Sequence, residues 1–376
     1  ALRRAVTNMV LRYAFSARVP YEGERPSHTL SPPTSTSTTS HLDASSTSSD
    51  VYTTNSSPLF EELVDVVEQL WDELTSTQTF LTDLAVEPRL ADVYYAGVSP
   101  IPSLVRKRDS LIRAIITERK RQRQQQTQTP KIRRNNDMLD VLLDASLPES
   151  DVMYTLVDLF VAGVNTVSTT LEWMLLLTAD QPQYQTKARA DALSATAASG
   201  TTEQSKHHDD TKRHQHQRPR PSYVDALIRE TLRSKPPLLL PRTATVDTSI
   251  GGHRIPAGRT VLANNRALTH DANWWDEPSV FRPERWLEEE DRAFVGAESC
   301  KFIPYSIGKR ACPGSKLANA ELSAAAHGLL RSVSWSRAGA TIDLREDYSL
   351  TLSPSTIQCL SFHRLEKRRR SERASY

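Results

Sequence analysis

Residues 302–314 read FIPYSIGKRACPG, and a helical pattern of apolar residues begins directly after them. A cysteine at a helix start lies near unpaired backbone N–H groups, which favour the thiolate, the form that attacks substrates or binds metal. Gly308 and Gly314 keep side chains away from Cys312, so that a flat, bulky group can approach the backbone. Arg310 can hold an anionic part of that group through a charge-assisted hydrogen bond. The whole stretch therefore favours a ligand-binding thiol over a buried structural cysteine, the commoner role of a single cysteine.

The spacing Gly-x-Arg-x-Cys-x-Gly after an aromatic residue resembles the haem-binding signature of the cytochrome P-450 family. The resemblance extends from about residue 1 to residue 362, outside two inserts. It implies that Cys312 is the axial thiolate ligand of haem b (iron protoporphyrin IX), where it promotes cleavage of the O–O bond. Tyr305 stands where the family usually has phenylalanine. Its ring can still pack beside the thiolate, but its hydroxyl needs a partner.

Glu230 and Arg233 form a Glu-x-x-Arg pair on one face of a predicted helix. The spacing occurs five times in the chain, so this pair is informative only in its sequence context. Downstream of it lie PP at 236–237, PR at 241–242 and FRPERW at 281–286. This order resembles the K helix and the subsequent arginine motif of the same family. It implies that Glu230, Arg233 and Arg285 form a buried structural charge cluster and that Arg242 reaches a haem propionate.

Residues 162–166, AGVNT, lie within a long predicted helix. Ala162 and Gly163 are small enough for a ligand to lie against the helix, and Thr166 can hydrogen-bond dioxygen or water. Core packing is the commoner explanation for such residues, but together with the other motifs they resemble the oxygen-activation motif of the family. Asn165 stands where the family usually has an acid. Since an amide orients water without donating a carboxyl proton, proton delivery is expected to use Thr166 and water or to be slow.

Composition excludes several classes of function. The chain has 376 residues, and 47 Lys and Arg against 45 Asp and Glu give a net charge of +2, too small for a global field that would attract nucleic acid. Three scattered cysteines predict no disulfide framework. The mean hydropathy of -0.49 indicates that part of the chain lies outside any core.

Two polar segments account for this low hydropathy. In residues 26–57, 19 of 32 residues are Ser or Thr, and in residues 194–220 the apolar side chains are alanines. We expect both to be disordered inserts in a single catalytic domain over residues 1–376. Four histidines of the second segment, at 207, 208, 214 and 216, could bind a metal, but a disordered polar loop is favoured.

The hydrophobic periodicity predicts a mainly α fold with a minor antiparallel β-sheet, which is a cytochrome P-450 fold that is partial at its N-terminus. Helices are predicted at 1–17, 59–86, 103–126, 138–143, 148–178, 223–234 and 315–330, and strands at 243–246, 249–250, 260–263, 349–352 and 358–362. No apolar run predicts a membrane span. The chain begins within an amphipathic pattern, so we expect it to lack the family's N-terminal anchor and to bind haem weakly or not at all by itself. Seven Lys and Arg between 119 and 134 predict a solvated basic helix end, or less often a contact to a membrane or an acidic partner.

The leading functional hypothesis is a haem-dependent monooxygenase that activates dioxygen to oxidise a lipophilic organic substrate. Asn165 keeps open a haem-thiolate isomerase or lyase that needs no external electrons, and a non-catalytic incomplete chain is a further alternative. In members served by a mitochondrial iron–sulfur protein, two basic residues usually follow Cys-x-Gly, whereas this chain has Ser315 and Lys316. The resemblance therefore favours the microsomal type, with an NADPH-dependent flavin reductase as partner and the endoplasmic reticulum membrane as location. The mitochondrion remains the alternative location.

Overall fold

The structure, a computed structural model, describes residues 2–15, 17, 58–74, 99–127, 137–199, 221–237, 240–288, 301–348 and 351–365. Its helices are α1 (Leu2–Phe15), α2 (Pro58–Leu74), α3 (Ile101–Thr127), α4 (Met138–Asp144), α5 (Glu149–Asp180), α6 (Pro182–Ser199), α7 (Tyr223–Ser234), α8 (Asn265–Thr269) and α9 (Ser315–Ser332). Its strands are β1 (Leu240–Thr243), β2 (Thr248–Ile250), β3 (His253–Ile255), β4 (Thr260–Ala263), β5 (Val333–Arg337), β6 (Glu346–Tyr348), β7 (Leu352–Pro354) and β8 (Leu360–Arg364). The predicted class, mainly helical with small antiparallel sheets, is confirmed.

Helix α7 has the bounds that the sequence predicts, because residues next to each end determine where the helix begins and ends. At its start, the Ser222 hydroxyl accepts a hydrogen bond from the Asp225 amide at 3.0 Å, and the Asp225 carboxylate accepts one from the Ser222 amide at 3.2 Å. This capping box satisfies two amides of the first turn. Pro236 and Pro237 prevent the helix from continuing beyond its last residue. Helix α2 ends at Leu74, and the rest of the helix predicted to residue 86 lies outside the described residues.

Helix α5 is the longest described element, with 32 residues. By length and composition it is apolar enough to cross a membrane, which the sequence analysis did not anticipate. However, half of its most apolar 18-residue stretch is buried inside the protein. A core helix that is apolar nearly all round has the same composition.

The chain divides into two compact units, and the boundary falls inside α5 between Val161 and Ala162. The first unit consists mainly of residues 3–73 and 87–161, and the second mainly of residues 162–376. The single domain predicted over the whole chain stays a prediction.

The first unit has an aromatic core centred on Phe15. Its ring lies 5.3 Å from that of Phe60 on α2 and 5.7 Å from that of Phe160 on α5. Beside this core, the Arg119 guanidinium donates to both carboxylate oxygens of Asp137 at 2.9 Å and to the Phe15 carbonyl at 3.0 Å. Arg119 is only 9% exposed, so it is a buried tertiary contact.

The neighbouring cations of α3, Lys120 and Arg121, are exposed, which agrees with the predicted solvated basic helix end, but they are paired with carboxylates. Lys120 contacts Glu149 at 2.6 Å, Arg121 contacts Glu118 at 2.6 Å, and Arg123 contacts Asp144. Carboxylates that lie close in space but not in the basic run neutralise these cations. The basic residues at 131, 133 and 134 lie outside the described residues.

In the second unit, two buried tryptophans connect α5 to the C-terminal strands. The Trp173 indole donates to the Leu352 carbonyl at 2.8 Å. The Trp335 indole donates to the Thr178 hydroxyl at 3.0 Å, and the Gln185 side chain donates to the Trp335 carbonyl at 2.8 Å. These bonds satisfy polar groups that burial would otherwise leave without partners.

The described strands form four two-stranded antiparallel sheets: β1 with β4, β2 with β3, β5 with β8, and β6 with β7. The strand predicted at 243–246 has the wrong bounds, because β1 ends at Thr243. Its pairing with β4 places Leu240 opposite Ala263, and beyond Thr243 the chain turns, with the Gly258 amide donating to the Ala244 carbonyl at 2.7 Å.

Several short strands were not predicted from the sequence. Gly251 and Gly252 have φ angles of 56° and 82°, so they form a two-residue hairpin turn between β2 and β3 rather than a simple break. Strands β5 and β6 were also not predicted, and the C-terminal strands lie at 352–354 and 360–364, a few residues later than expected.

The second predicted insert begins too early. Helix α6 continues through Ser199, so disorder over residues 194–199 is wrong. Proline at the first helical position and six alanines from 188 to 198 favour this helix. Residues 200–220 and the first insert, 26–57, lie outside the described residues.

Candidate functional site

The segment that ends in Cys312 is a folded-back loop followed by α9. Ser306 and Gly308 have positive φ angles of 61° and 73°, which turn the chain so that the Cys312 amide donates to the Tyr305 carbonyl at 2.8 Å. The residue Cys312 is exposed. It lies before the first helical residue, Ser315, and not at the helix start itself, and Gly314 occupies the N-cap position. The loop, together with the helix end, therefore presents the thiol.

The glycine beside the cysteine has a specific geometry. A Cβ atom added at Gly314 would lie 3.9 Å from the Cys312 sulfur, an ordinary van der Waals contact. At Gly308, nothing described lies within 4 Å of such an atom, but the positive φ angle itself favours glycine. Gly308 is thus required by the backbone, whereas the protein around Gly314 tolerates a small side chain. A need for glycine at 314 would come from a group that binds against the loop.

The Tyr305 hydroxyl has the partner that the sequence analysis required. It donates to the side-chain oxygen of Asn319 at 3.0 Å, and the Asn319 amide donates to the Ser315 carbonyl at 2.8 Å. Burial raises the pKa of Tyr305, and the nearby Cys312 raises it further. The phenol therefore stays neutral beside the thiol. Asn319 was missed because nothing in the local sequence marks it as a partner of a residue 14 positions away.

Two arginines lie on the exposed side of the loop. Arg242, at the β1 strand, donates to the Ser306 hydroxyl at 3.3 Å and to the Pro241 carbonyl at 2.7 Å. Arg310 is exposed and makes no hydrogen bond or ion pair to another described residue. One thiol and one cation on the loop, with a second cation on β1 beside it, match the chemistry of haem b, whose iron takes a thiolate and whose propionates take arginines. The residues present therefore fit this cofactor.

The predicted motif on α5 lies in the same unit as the loop. Ala162 is exposed and Gly163 and Thr166 are partly exposed, whereas Asn165 is only 4% exposed. The Thr166 hydroxyl donates to the Ala162 carbonyl at 2.7 Å. Its proton is therefore engaged, and its oxygen remains free to accept a hydrogen bond. No hydrogen bond in the described part of the chain joins this segment to the Cys312 loop.

Glu230, Arg233 and Arg285 meet as the sequence analysis predicts. All three are buried, with exposed fractions of 0%, 0% and 1%. Arg233 donates to Glu230 at 2.8 and 2.9 Å, and Arg285 donates to it at 3.1 Å. The Glu230 carboxylate also accepts from the Arg282 amide at 2.8 Å and the Trp286 indole at 2.9 Å. This buried carboxylate therefore accepts five hydrogen bonds, which offset its desolvation.

The arginines of this cluster are satisfied by backbone carbonyls that sequence reasoning missed. Arg233 donates to the carbonyls of Thr269, Pro278 and Val280 at 2.8, 2.9 and 3.2 Å. Glu277 has a φ angle of 44°, and the turn it forms directs neighbouring carbonyls at the guanidinium groups. Carbonyl acceptors of this kind depend on the path of the chain and carry no residue signature.

An aromatic cluster connects the charge cluster to the cysteine loop. The Arg233 guanidinium lies 5.4 Å from the centre of the Trp275 ring. The Trp286 ring lies 5.6 Å from that of Trp275 and 4.6 Å from that of Phe302, the first residue of the loop. Both tryptophans are buried. The position of the loop thus depends on side chains packed directly onto the charge cluster.

The loop and its arginines define the class of proteins that bind haem through a cysteine thiolate. Comparison with known proteins gives the same result, since the sequence model described as Cytochrome P450 matches residues 2–360. The chain belongs to the cytochrome P450 family.

Relatives and solved structures agree with this assignment. The chain is 33% identical over 227 residues to a cytochrome P450 monooxygenase, 76AD131, of Lophophora williamsii, an alignment that covers 58% of this chain and 42% of the relative. It is 31% identical over 255 residues to a ferruginol synthase of Salvia pomifera, covering 66% and 51%. A zebra fish cytochrome P450 structure with abiraterone matches 97% of this chain and 71% of that chain, with a TM-score of 0.63 and 25% identity. The chain thus spans about half the length of the curated relatives it matches.

Proposed function

We propose that the chain carries the catalytic machinery of a haem-dependent monooxygenase that oxidises a lipophilic organic substrate. The observation that carries this proposal is the exposed Cys312, presented by a loop whose backbone is fixed and flanked by two arginines. Relatives whose printed names include monooxygenase and tabersonine 16-hydroxylase support the same reaction type.

In this proposal Cys312 binds the haem iron, and Arg242 and Arg310 hold the propionates. Haem bound through a thiolate supplies the activation of dioxygen. Gly308 and Gly314 let the ring approach the loop, and Tyr305 packs beside the thiolate without adding charge. The cluster of Glu230, Arg233 and Arg285 would position the loop through the tryptophans packed between the cluster and Phe302.

Proton delivery would depend on α5. Because the Thr166 proton is engaged with the Ala162 carbonyl, the Thr166 oxygen is available to accept a hydrogen bond from water. Asn165 is nearly buried and its amide has no acidic proton to give. Ala162 and Gly163 leave space for substrate or dioxygen beside this turn.

The electron donor in this proposal is an NADPH-dependent flavin reductase, and the location is the endoplasmic reticulum membrane. Both rest on the resemblance to the microsomal type and on Ser315 and Lys316, where mitochondrial members usually have two basic residues. A mitochondrial iron–sulfur protein is the alternative donor.

The reaction type can be tested apart from the electron donor. The full chain is supplied with excess haem and given 7-ethoxycoumarin as a lipophilic probe, with hydrogen peroxide in one arm and NADPH plus a flavin reductase in the other. The proposal predicts oxidised product in the peroxide arm, lost in Cys312→Ser and kept in Cys359→Ser. A haem-loaded chain that gives no product in either arm contradicts the monooxygenase proposal.

The contribution of Asn165 to proton delivery can be tested separately. If proton delivery limits the reaction, Asn165→Asp restores a carboxyl proton and raises the amount of product formed per NADPH consumed, while Thr166→Ala lowers it. Both variants are compared with wild type in the reductase arm, with equal haem content confirmed by absorbance. Unchanged coupling in both variants would show that this turn of α5 does not deliver protons. It would favour the isomerase or lyase hypothesis if turnover proceeded without NADPH.

A further inference from the structure

A cavity of about 610 Å³ lies between α7 and the cysteine loop, within the second unit. One wall consists of Ile228, Arg229 and Leu232 of α7, and the other consists of residues 302–308. The cavity reaches Ala311 and Asn319, but Cys312 does not line it. The thiol itself is therefore outside the cavity, although the loop that presents it forms one of the walls. The cavity volume is that of a site for a drug-sized molecule.

The lining combines apolar residues with five polar ones, namely Asp225, Arg229, Tyr305, Ser306 and Asn319. Ile228 and Leu232 are 5% and 3% exposed, and Phe302, Ile303 and Ile307 face them from the loop. Such walls favour an apolar ligand body, because its burial removes hydrocarbon surface from water.

Arg229 supplies a positive charge to this cavity, and Asp225, which also lines the cavity, is its acidic neighbour. Arg229 makes no hydrogen bond or ion pair to another described side chain, and its half-buried position lowers its pKa by desolvation. The carboxylate of Asp225, one helical turn away, is already the acceptor of the α7 capping box. A half-buried guanidinium with free donors is matched by a carboxylate, which it can bind through two parallel hydrogen bonds.

We infer that this cavity, the α7 pocket, is a second ligand site that binds an amphiphilic carboxylate, with the carboxylate on Arg229 and the hydrocarbon between α7 and the loop. The site does not depend on the proposed haem chemistry. It does share a wall with the cysteine loop, since Tyr305 and Ser306 line it and the Tyr305 carbonyl holds the Cys312 amide. A ligand in the α7 pocket would therefore contact the segment that fixes the thiol.

The test measures binding of decanoate and of its uncharged analogue decan-1-ol to the full chain supplied with haem, by isothermal titration calorimetry. Decanoate is expected to bind more tightly than the alcohol. Arg229→Gln is expected to weaken decanoate binding about tenfold, the usual size of one lost charge-assisted hydrogen bond, and to leave decan-1-ol within twofold. Arg229→Lys should recover part of the loss.

Arg337→Gln is the matched control, because Arg337 is an exposed arginine of the same unit that lies away from the cavity. It should leave decanoate binding unchanged. Ile303→Trp fills the cavity without altering charge and should weaken both ligands, with circular dichroism confirming that the variant is folded.

Three results would overturn the inference. Equal binding of acid and alcohol, or equal loss in Arg229→Gln and Arg337→Gln, would remove the role of Arg229. Arg229-dependent binding of an acidic peptide such as hexaglutamate, without binding of decanoate, would make the surface a protein contact instead. Loss of decanoate binding in Cys312→Ser but not in Arg229→Gln would place the probe at the haem site. In contrast, failure of the proposed monooxygenase reaction leaves the predicted binding in the α7 pocket unchanged.

Discussion

Gly308 shows how one residue sets the shape of the cysteine loop. Its φ angle of 73° lies in the left-handed region, where a side chain costs about 1 kcal/mol or more through contact with its own backbone. Since nothing described lies within 4 Å of an added Cβ atom, the cost at this position is conformational and not steric. The direction of the chain between Tyr305 and Cys312 thus depends on a glycine at this point.

We predict that Gly308→Ala lowers the free energy of unfolding by about 1 kcal/mol. Gly328→Ala is the matched control: Gly328 also has nothing within 4 Å, but it lies inside helix α9, where alanine is expected to stabilise by about 1 kcal/mol. Urea unfolding of both variants measures the two shifts. Shifts of the same sign would contradict the conformational role of Gly308.

Two Glu-x-x-Arg pairs differ in burial because they lie in different surroundings. Glu118-x-x-Arg121 and Glu230-x-x-Arg233 have the same spacing, yet the first pair is exposed on α3 and the second is buried on α7. The sequence identified the second pair only through the prolines and arginines downstream of it. It did not identify Trp286 or the carbonyl acceptors, because the chain brings them together across 36 to 56 positions.

At the scale of the element, Glu230→Ala leaves two buried guanidinium groups without their carboxylate. We predict a loss of about 3 to 5 kcal/mol in the free energy of unfolding, because the remaining charges are desolvated and unpaired. Glu118→Ala removes the same motif from an exposed helix surface and should leave the urea midpoint nearly unchanged. Similar midpoints for the two variants would show that burial does not decide the strength of this motif.

Helix α9 contains a second buried acid, Glu321, whose environment is different. Glu321 is 5% exposed, and neither of its carboxylate oxygens has a partner among the described residues. Burial alone raises its pKa from 4.5 to about 7. The folded protein therefore holds a proton that the unfolded chain releases.

This raised pKa makes stability depend on pH. The contribution is fully present below pH 4.5, falls as the pH rises to about 7, and is constant above that value. We predict that Glu321→Gln flattens this decline, so that the variant is more stable than wild type above pH 7 and similar to it below pH 4.5. Urea midpoints across this range measure the difference, and parallel curves for the two proteins would contradict it.

At the scale of the whole molecule, elements with strong local signals were predicted and elements defined by pairing were not. Helix α7 carries a capping box at one end and two prolines at the other, so its bounds follow from the sequence. Strand β3 has three residues and an exposed pattern, and only its pairing with β2 makes it a strand. Helix α6 was not predicted, and its alanine-rich end resembles a polar insert in composition.

In the candidate site, too, residues that share a sequence motif were predicted, and residues that only the fold brings together were not. The cysteine, its glycines and its arginines share one continuous motif or a neighbouring one, so the sequence indicated them together. The α7 pocket could not be predicted, because it exists only where Arg229 and the loop face each other across about 75 positions of the chain.

The central claim is that Cys312 binds the haem iron. The ferrous carbon monoxide difference spectrum tests it on the full chain supplied with excess haem, in wild type, Cys312→Ser and the exposed control Cys359→Ser. We predict a thiolate-type band in wild type and in Cys359→Ser, and its loss in Cys312→Ser. An unchanged thiolate-type band in Cys312→Ser, or its loss in Cys359→Ser, would contradict the account.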